Sequence, residues 1–319
     1  YSDDNRKAFR DNNRVSFGFP GVPINVPAFT ADYDQDFDEF NPSFTVEYDI
    51  DEFSNVYAKV VTAYKAGGTS QRSTNEEAFQ EGFDPEDLIS YELGYKGDLW
   101  NNRLRLNAAA FYMEFEGYQQ SVPTGNNAGE RDFVNIDDAD IYGVEFDLTL
   151  AITDALVGTV SYGYLDTSFG PESITYLAID ATSDTGFREV TEQLTDDLAL
   201  APEHSFTASL DYSRSLEIGV LNANVNVAYQ DESLSGVQEP TGLLNDRTLL
   251  SATLGLEEIA IGKDMGELRV TLWGNNLLDE EYYIGNIRQG AFDDLGLTGG
   301  LATFGDPRTY GVTMEYLFR

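Results

Sequence analysis

The chain has 319 residues, with 56 acidic against 19 basic side chains and a formal charge of −37. A field of that sign repels nucleic-acid phosphates and excludes a DNA or RNA partner. The lack of Cys excludes disulfides, thiolate metal sites and cysteine nucleophiles, and a lone His204 excludes multi-histidine metal clusters. No apolar run reaches the roughly 20 residues of a spanning helix, but a barrel strand needs only about 9 to 11 and shows its lipid face at alternate positions.

Residues 1–40 are turn-rich and charged, with Gly18, Pro20, Gly21, Pro23 and Pro27 ahead of an acidic run from Ala31 to Phe40. They read as an extracellular loop region, with Val15–Phe19 as the one short strand candidate. From residue 41 onward, strands are expected at Phe44–Tyr48, Val56–Tyr64, Leu88–Lys96, Leu104–Tyr118, Ile141–Leu150 and Leu156–Leu165. Five more follow at His204–Tyr212, Val220–Tyr229, Leu249–Leu256, Leu268–Asn275 and Arg308–Phe318. Short turns join them at one end and long loops at the other, the asymmetry of an up-and-down outer-membrane β-barrel.

The two faces of each strand agree. Leu221, Ala223, Val225, Val227 and Tyr229 form an apolar side against Asn222, Asn224, Asn226, Ala228 and Gln230. Val144, Phe146, Leu148 and Leu150 oppose Gly143, Glu145, Asp147 and Thr149, and Phe206 to Tyr212 and Tyr310 to Phe318 alternate in the same way. Charges on the polar side suit an aqueous or hydrogen-bonded lumen better than a packed core. One strand fits poorly: Leu104, Leu106, Ala108 and Ala110 share a face with Tyr112 and Glu114, so either a bulge or emergence from the bilayer near Tyr112 is needed. Eleven strands is an odd count, whereas single-chain bacterial barrels are normally even. With the short turns in the periplasm, the first and last strands both run inward, so further wall is expected upstream.

Five segments carry a family resemblance: Asn55–Gly68, Pro85–Lys96, Ala139–Phe146, Asn275–Tyr282 and Pro307–Val312. In order and spacing the chain resembles the C-terminal half of the barrel of a TonB-dependent outer-membrane receptor. The resemblance implies an all-β, antiparallel barrel of about 22 strands, of which some eleven are present at 41–319, with the N-terminal barrel half and the plug domain supplied elsewhere. It also implies a TonB-binding segment on that plug, a place in the outer membrane of a Gram-negative cell among lipid and lipopolysaccharide, and no enzymatic activity. Members of the family end on the aromatic residue read by the barrel-assembly machinery; in this chain Phe318 is followed by Arg319.

Candidate sites lie in the loops. Asp32, Asp34, Asp36 and Asp38 offer hard oxygens for calcium, but they lack the spacing and central Gly of an EF-hand and read first as a solvated acidic loop. Phe169, Tyr176, Tyr282, Tyr283 and Phe304 are aromatics that either stack on a ligand or anchor loops to one another. Arg288 and Arg308 flank the last long loop and pair with carboxylates, contact the plug or grip an anionic ligand. His204 reads as a boundary residue, and no catalytic constellation emerges. The leading function is TonB-coupled import of a scarce bulky nutrient: an iron chelate, vitamin, oligosaccharide or peptide. A passive porin or a surface structural or adhesive barrel would keep the alternation without the plug, and a soluble carbohydrate-binding sandwich would pack the apolar faces on each other.

Overall fold

A computed structural model describes residues 2–12, 16–19, 22–25, 28–71, 73, 76–123, 131–136, 138–169, 173–179, 187–193, 197–236, 242–262, 266–288 and 300–318. In chain order, β1 (Ser2–Asn12) pairs antiparallel with β4 (Phe29–Glu39), and β2 (Ser16–Phe19) with β3 (Val22–Asn25). Then come β5 (Ser43–Asp51), β6 (Ser54–Lys65), the one-turn helix α1 (Glu76–Glu81), β7 (Glu86–Leu99) and β8 (Leu104–Glu116). The hairpin of β9 (Gln119–Pro123) and β10 (Arg131–Asn135) leads to β11 (Ala139–Thr153) and β12 (Leu156–Phe169). A further hairpin, β13 (Ser173–Ile179) with β14 (Phe187–Gln193), precedes β15 (His204–Leu216) and β16 (Gly219–Gln230). Short β17 (Ser233–Leu234) and β18 (Leu243–Leu244), then β19 (Arg247–Ala260), β20 (Glu267–Asn275), β21 (Tyr283–Arg288), β22 (Gly300–Phe304) and β23 (Thr309–Leu317) complete it.

Eleven of these strands make one antiparallel meander in the order β23-β20-β19-β16-β15-β12-β11-β8-β7-β6-β5. Each expected wall strand is present; most run past at least one expected end, whereas the one expected at Leu104–Tyr118 stops at Glu116 and the last spans Thr309–Leu317 rather than Arg308–Phe318. The eleven lie in one sheet rather than in two packed layers, which removes the sandwich reading.

Register carries the apolar side across six neighbouring strands, β8 to β19. Leu106, Leu148, Val160, Ala208, Val227 and Leu250 form one continuous cross-strand row. Beside it runs an aromatic row, Phe146, Tyr162, Phe206 and Tyr229, with the first two rings 5.5 Å apart. Aromatic rings above an apolar band mark a membrane interface. The ladder also settles the odd strand: β8 and β11 pair without a register shift from Leu104 opposite Leu150 to Phe115 opposite Ala139. Tyr112 therefore stands on the lipid face at the interface, donating 2.7 Å to Asp140, and Glu114 lies beyond it. The strand leaves the bilayer near Tyr112, and no bulge is involved.

Within residues 1–40, read as an extracellular loop region from their turn formers, β1 and β4 pair as a hairpin. The alternation Phe29, Ala31, Tyr33 against Asp32, Asp34, Asp36, Asp38 is a period-two signal, and the apolar side packs on Phe79 of α1. The expected strand at Val15–Phe19 exists as β2, but it pairs with β3 and not with the wall. Among the described residues buried core is otherwise scarce, because wall strands have solvent or lipid on both sides. A second cluster, Ile136, Ala139 and Leu198 with Phe115, Tyr118 and Ile141, seals the loops where β8 and β11 end.

Candidate functional site

The loop end of the wall is assembled by carboxamides. Gln119, only 5% exposed, donates from Nε2 to the carbonyls of Lys65, Ala66 and Asp84 at 3.2, 3.2 and 3.0 Å, and its own N–H meets Glu86 at 2.6 Å. Asn135 Nδ2 reaches the carbonyls of Asp84 and Gly117 at 2.9 and 2.8 Å, while its Oδ1 accepts the Asp84 N–H at 2.8 Å. Asn276, at φ 48°, does the same for the last loop, bonding the carbonyls of Glu280 and Asp306 at 2.9 and 3.1 Å. Each clamp satisfies several loop carbonyls with one side chain, and unpaired backbone groups are costly when buried. None of the three is evident from the sequence; Asn276 alone lies in a segment that carries the family resemblance.

On that frame Tyr282, Tyr283 and Phe304 come together. Tyr283 faces Phe304 across the β21–β22 hairpin with ring centroids 5.0 Å apart, and Phe304 is 62% exposed. Tyr282 takes the Arg247 guanidinium over its ring at 5.2 Å and lies flat on Gly305, where a Cβ would sit 2.0 Å from the ring. Ser235 bonds the Asn286 carbonyl and Asn286 Nδ2 reaches the Leu243 carbonyl at 3.2 Å, so two neighbouring loops are strapped together. Tyr282 thus anchors its loop, whereas Phe304 offers an open ring face.

Phe169 lies at the end of β12 opposite Ala139, Tyr176 in β13 opposite Val190 and Arg288 in β21 opposite Gly300; their side chains lie outside the described residues. Arg308 is paired, its guanidinium 2.9 Å from Asp279. His204 opens β15 with Nδ1 2.9 Å from the Tyr162 hydroxyl, among the interface rings rather than in a ligand loop.

Asp32, Asp34, Asp36 and Asp38 line one side of β4. Lys7 binds Asp34 at 2.8 Å and Asn5 bridges Asp34 and Asp36 at 3.3 and 2.5 Å. Among the described residues no three carboxylate or imidazole groups converge as a metal cluster. The bond from Lys7 holds the Asp34 carboxyl below its ordinary range and raises the ammonium of Lys7 in return. On the other side of the strand, burial pushes the Tyr33 phenol up, with the charge of Asp84 adding to it.

The inward side of the wall divides in two. Tyr57 donates to Glu92 at 2.6 Å, its ring covers Gly94, and the Lys96 ammonium stands 5.2 Å from the ring centroid. Arg105 pairs with Asp98 at 2.8 Å, and Glu47, Asp49, Glu145 and Asp147 add further carboxylates. Further along, the inward side turns neutral: Thr159 bonds Ser209 at 2.7 Å, and Asp211 accepts from Ser209 and Asn224 at 3.1 and 2.7 Å. Asn226 and Ser251 continue that stretch. Near the short-turn end Arg269 sits between Glu257 and Glu315 at 3.2 and 2.8 Å.

Residues 3–277 match the family model described as TonB dependent receptor-like, beta-barrel. The chain superposes on the ferric yersiniabactin uptake receptor FyuA from Yersinia pestis with a TM-score of 0.69 and 18% identity, covering 91% of this chain and 39% of that one. For the siderophore receptor PiuA from Acinetobacter baumannii the values are 0.62 and 20%, covering 90% and 36%. A probable TonB-dependent siderophore receptor PiuA of Acinetobacter baumannii is 27% identical over 147 residues, which is 44% of this chain and 19% of that protein. The chain thus spans well under half the length of these relatives. With the meander, the lipid-facing band and the family match in agreement, the chain belongs to the TonB-dependent receptors, a non-catalytic class of the outer membrane, as part of their β-barrel.

Proposed function

We propose that this chain forms half the wall of a barrel of about 22 strands that imports a ferric chelate across the outer membrane by coupling to TonB. The observation that carries the reading is the direction of the edge strands. Eleven alternating strands leave β5 and β23 running the same way, so they cannot pair antiparallel with each other. An odd number of further strands closes such a wall, and eleven more give the family's barrel. The relatives named above are receptors for ferric yersiniabactin and for siderophores, which supports an iron chelate over a vitamin, sugar or peptide.

In this reading the aromatic face at Tyr283 and Phe304 meets the chelate outside, a plug domain fills the polar lumen, and TonB pulls on the plug from below. Lipid and lipopolysaccharide surround the apolar band. The test is uptake of radiolabelled ferric chelates by cells carrying the full-length receptor, with and without TonB. Uptake that disappears without TonB is expected; uptake that persists without it identifies a passive pore and ends the proposal.

A further inference from the structure

We propose that the substrate crosses the lumen along the wall of β15, β16 and β19, and that it is an electrically neutral, oxygen-rich chelate. This rests on the importer reading above and adds to it a route and a chemical class. On these strands the inward positions at successive levels are hydroxyls and carboxamides: Ser209, Asn224, Asn226, Ser251 and Thr253. They are bonded sideways to their own kind, as Ser209 is to Thr159 at 2.7 Å; Asp211, the carboxylate at their level, is held by Ser209 and Asn224, and Glu257, nearer the short turns, is taken up by Arg269. Neutral donors and acceptors of this kind exchange one partner for another with little net change in free energy. A passing carbonyl or hydroxyl can take the place of a neighbour or a water at each level.

The wall of β5 to β11 has the opposite character. Glu47, Lys59, Glu92, Lys96, Glu145 and Asp147 carry full charges, and pressing a bulky solute against them strips hydration that a neutral solute cannot replace. Charge also selects the traveller. A chain of net charge −37 repels an anion on approach and retains a cation at its carboxylates, whereas a neutral chelate does neither.

This chain contributes no Cys, so single cysteines are placed in a full-length receptor from which any cysteine outside it has been replaced. Asn226→Cys and Ser251→Cys mark the neutral wall; Asn107→Cys and Glu145→Cys mark the charged one. Each is labelled with a bulky thiol reagent in energised cells, and heat-modifiable gel mobility verifies that each is folded. Should one neutral-wall variant misfold, the other carries the test. Uptake of a neutral ferric trihydroxamate is expected to be lost after labelling at 226 or 251 and retained after labelling at 107 or 145. Equal loss at all four, loss only on the charged wall, or neutral-wall cysteines that never react during transport overturns the route. An unlabelled receptor that imports an anionic ferric catecholate but not the trihydroxamate overturns the neutral class while leaving the importer reading intact. Import of neither overturns the importer reading itself.

Discussion

The lumen side of the wall from β5 to β11 and that from β12 to β19 share one ladder and differ in everything the ladder does not set. The first is built from interlocked charges: Tyr57 bridges to Glu92, roofs Gly94 and carries Lys96 on its ring. The second is a stretch of hydroxyls and amides in which Thr159, Ser209 and Asn224 bond laterally. Backbone periodicity decides which residues point inward. Their chemistry is then free to vary from strand to strand, and a barrel can carry a rigid sector and an exchangeable one on the same frame.

The largest effect expected separates the two sectors by glycine replacement. In Gly94→Ala the new Cβ would stand 2.3 Å from the Tyr57 ring, so the ring must leave Glu92 or the strands must part. Overpacking of this kind costs on the order of 3 kcal/mol. In Gly163→Ala, on the neutral sector, the only close atom is the Ser205 hydroxyl at 3.0 Å, the end of a side chain that can turn aside. Urea midpoints of the full-length receptor in detergent should fall clearly for the first and hardly for the second. Equal losses would break the comparison.

Hydrogen-bond deletions sharpen it further. Tyr57→Phe removes a donor from a carboxylate and is expected to cost about 2 kcal/mol, the range of bonds to charged groups. Thr159→Val removes a neutral bond to Ser209 and should cost about 1 kcal/mol. The same unfolding midpoints rank the two, and a reversed order would mean that the neutral sector is the rigid one.

These differences explain what the sequence made legible. The wall strands were readable because apolar residues at every second position are a local signal, visible in Val144 to Leu150 or Tyr310 to Phe318. The face of Tyr112 and Glu114 was not, since only pairing with Tyr142 and Asp140 shows where the bilayer ends. The β1–β4 hairpin was masked by its glycines and prolines, and its alternation is anchored by Phe79, 50 residues beyond Phe29. The loop clamps of Gln119, Asn135 and Asn276 left least trace, because a carboxamide that collects distant carbonyls has no spacing rule. Of the candidate residues, Tyr283 and Phe304 do meet, whereas the partner of Arg308, Asp279, lies 29 positions away.

The smallest effect carries the comparison outside the lumen, to a charge pair with no roof over it. Lys7 and Asp34 bond at 2.8 Å with side chains 64% and 57% exposed, unlike the covered Tyr57–Glu92 unit. The folded carboxyl of Asp34 is depressed, so its contribution is present above the ordinary 3.8 and is lost as pH falls through the lower folded value. Lys7 is raised, so its contribution is present below 10.5 and is lost as pH rises through the higher folded value. Hydrogen exchange of the β1–β4 amides, corrected for intrinsic rates, should therefore quicken at acid pH, with Asp34→Asn abolishing most of that dependence. Salt near 1 M should weaken the pair at neutral pH, since the Debye length then shrinks to about 3 Å, the separation of the pair. Protection that ignores both pH and salt would place the order of the hairpin in the packing of Phe29, Ala31 and Tyr33 on Phe79 alone, and the acidic side of β4 would then be solvated surface with no structural part to play.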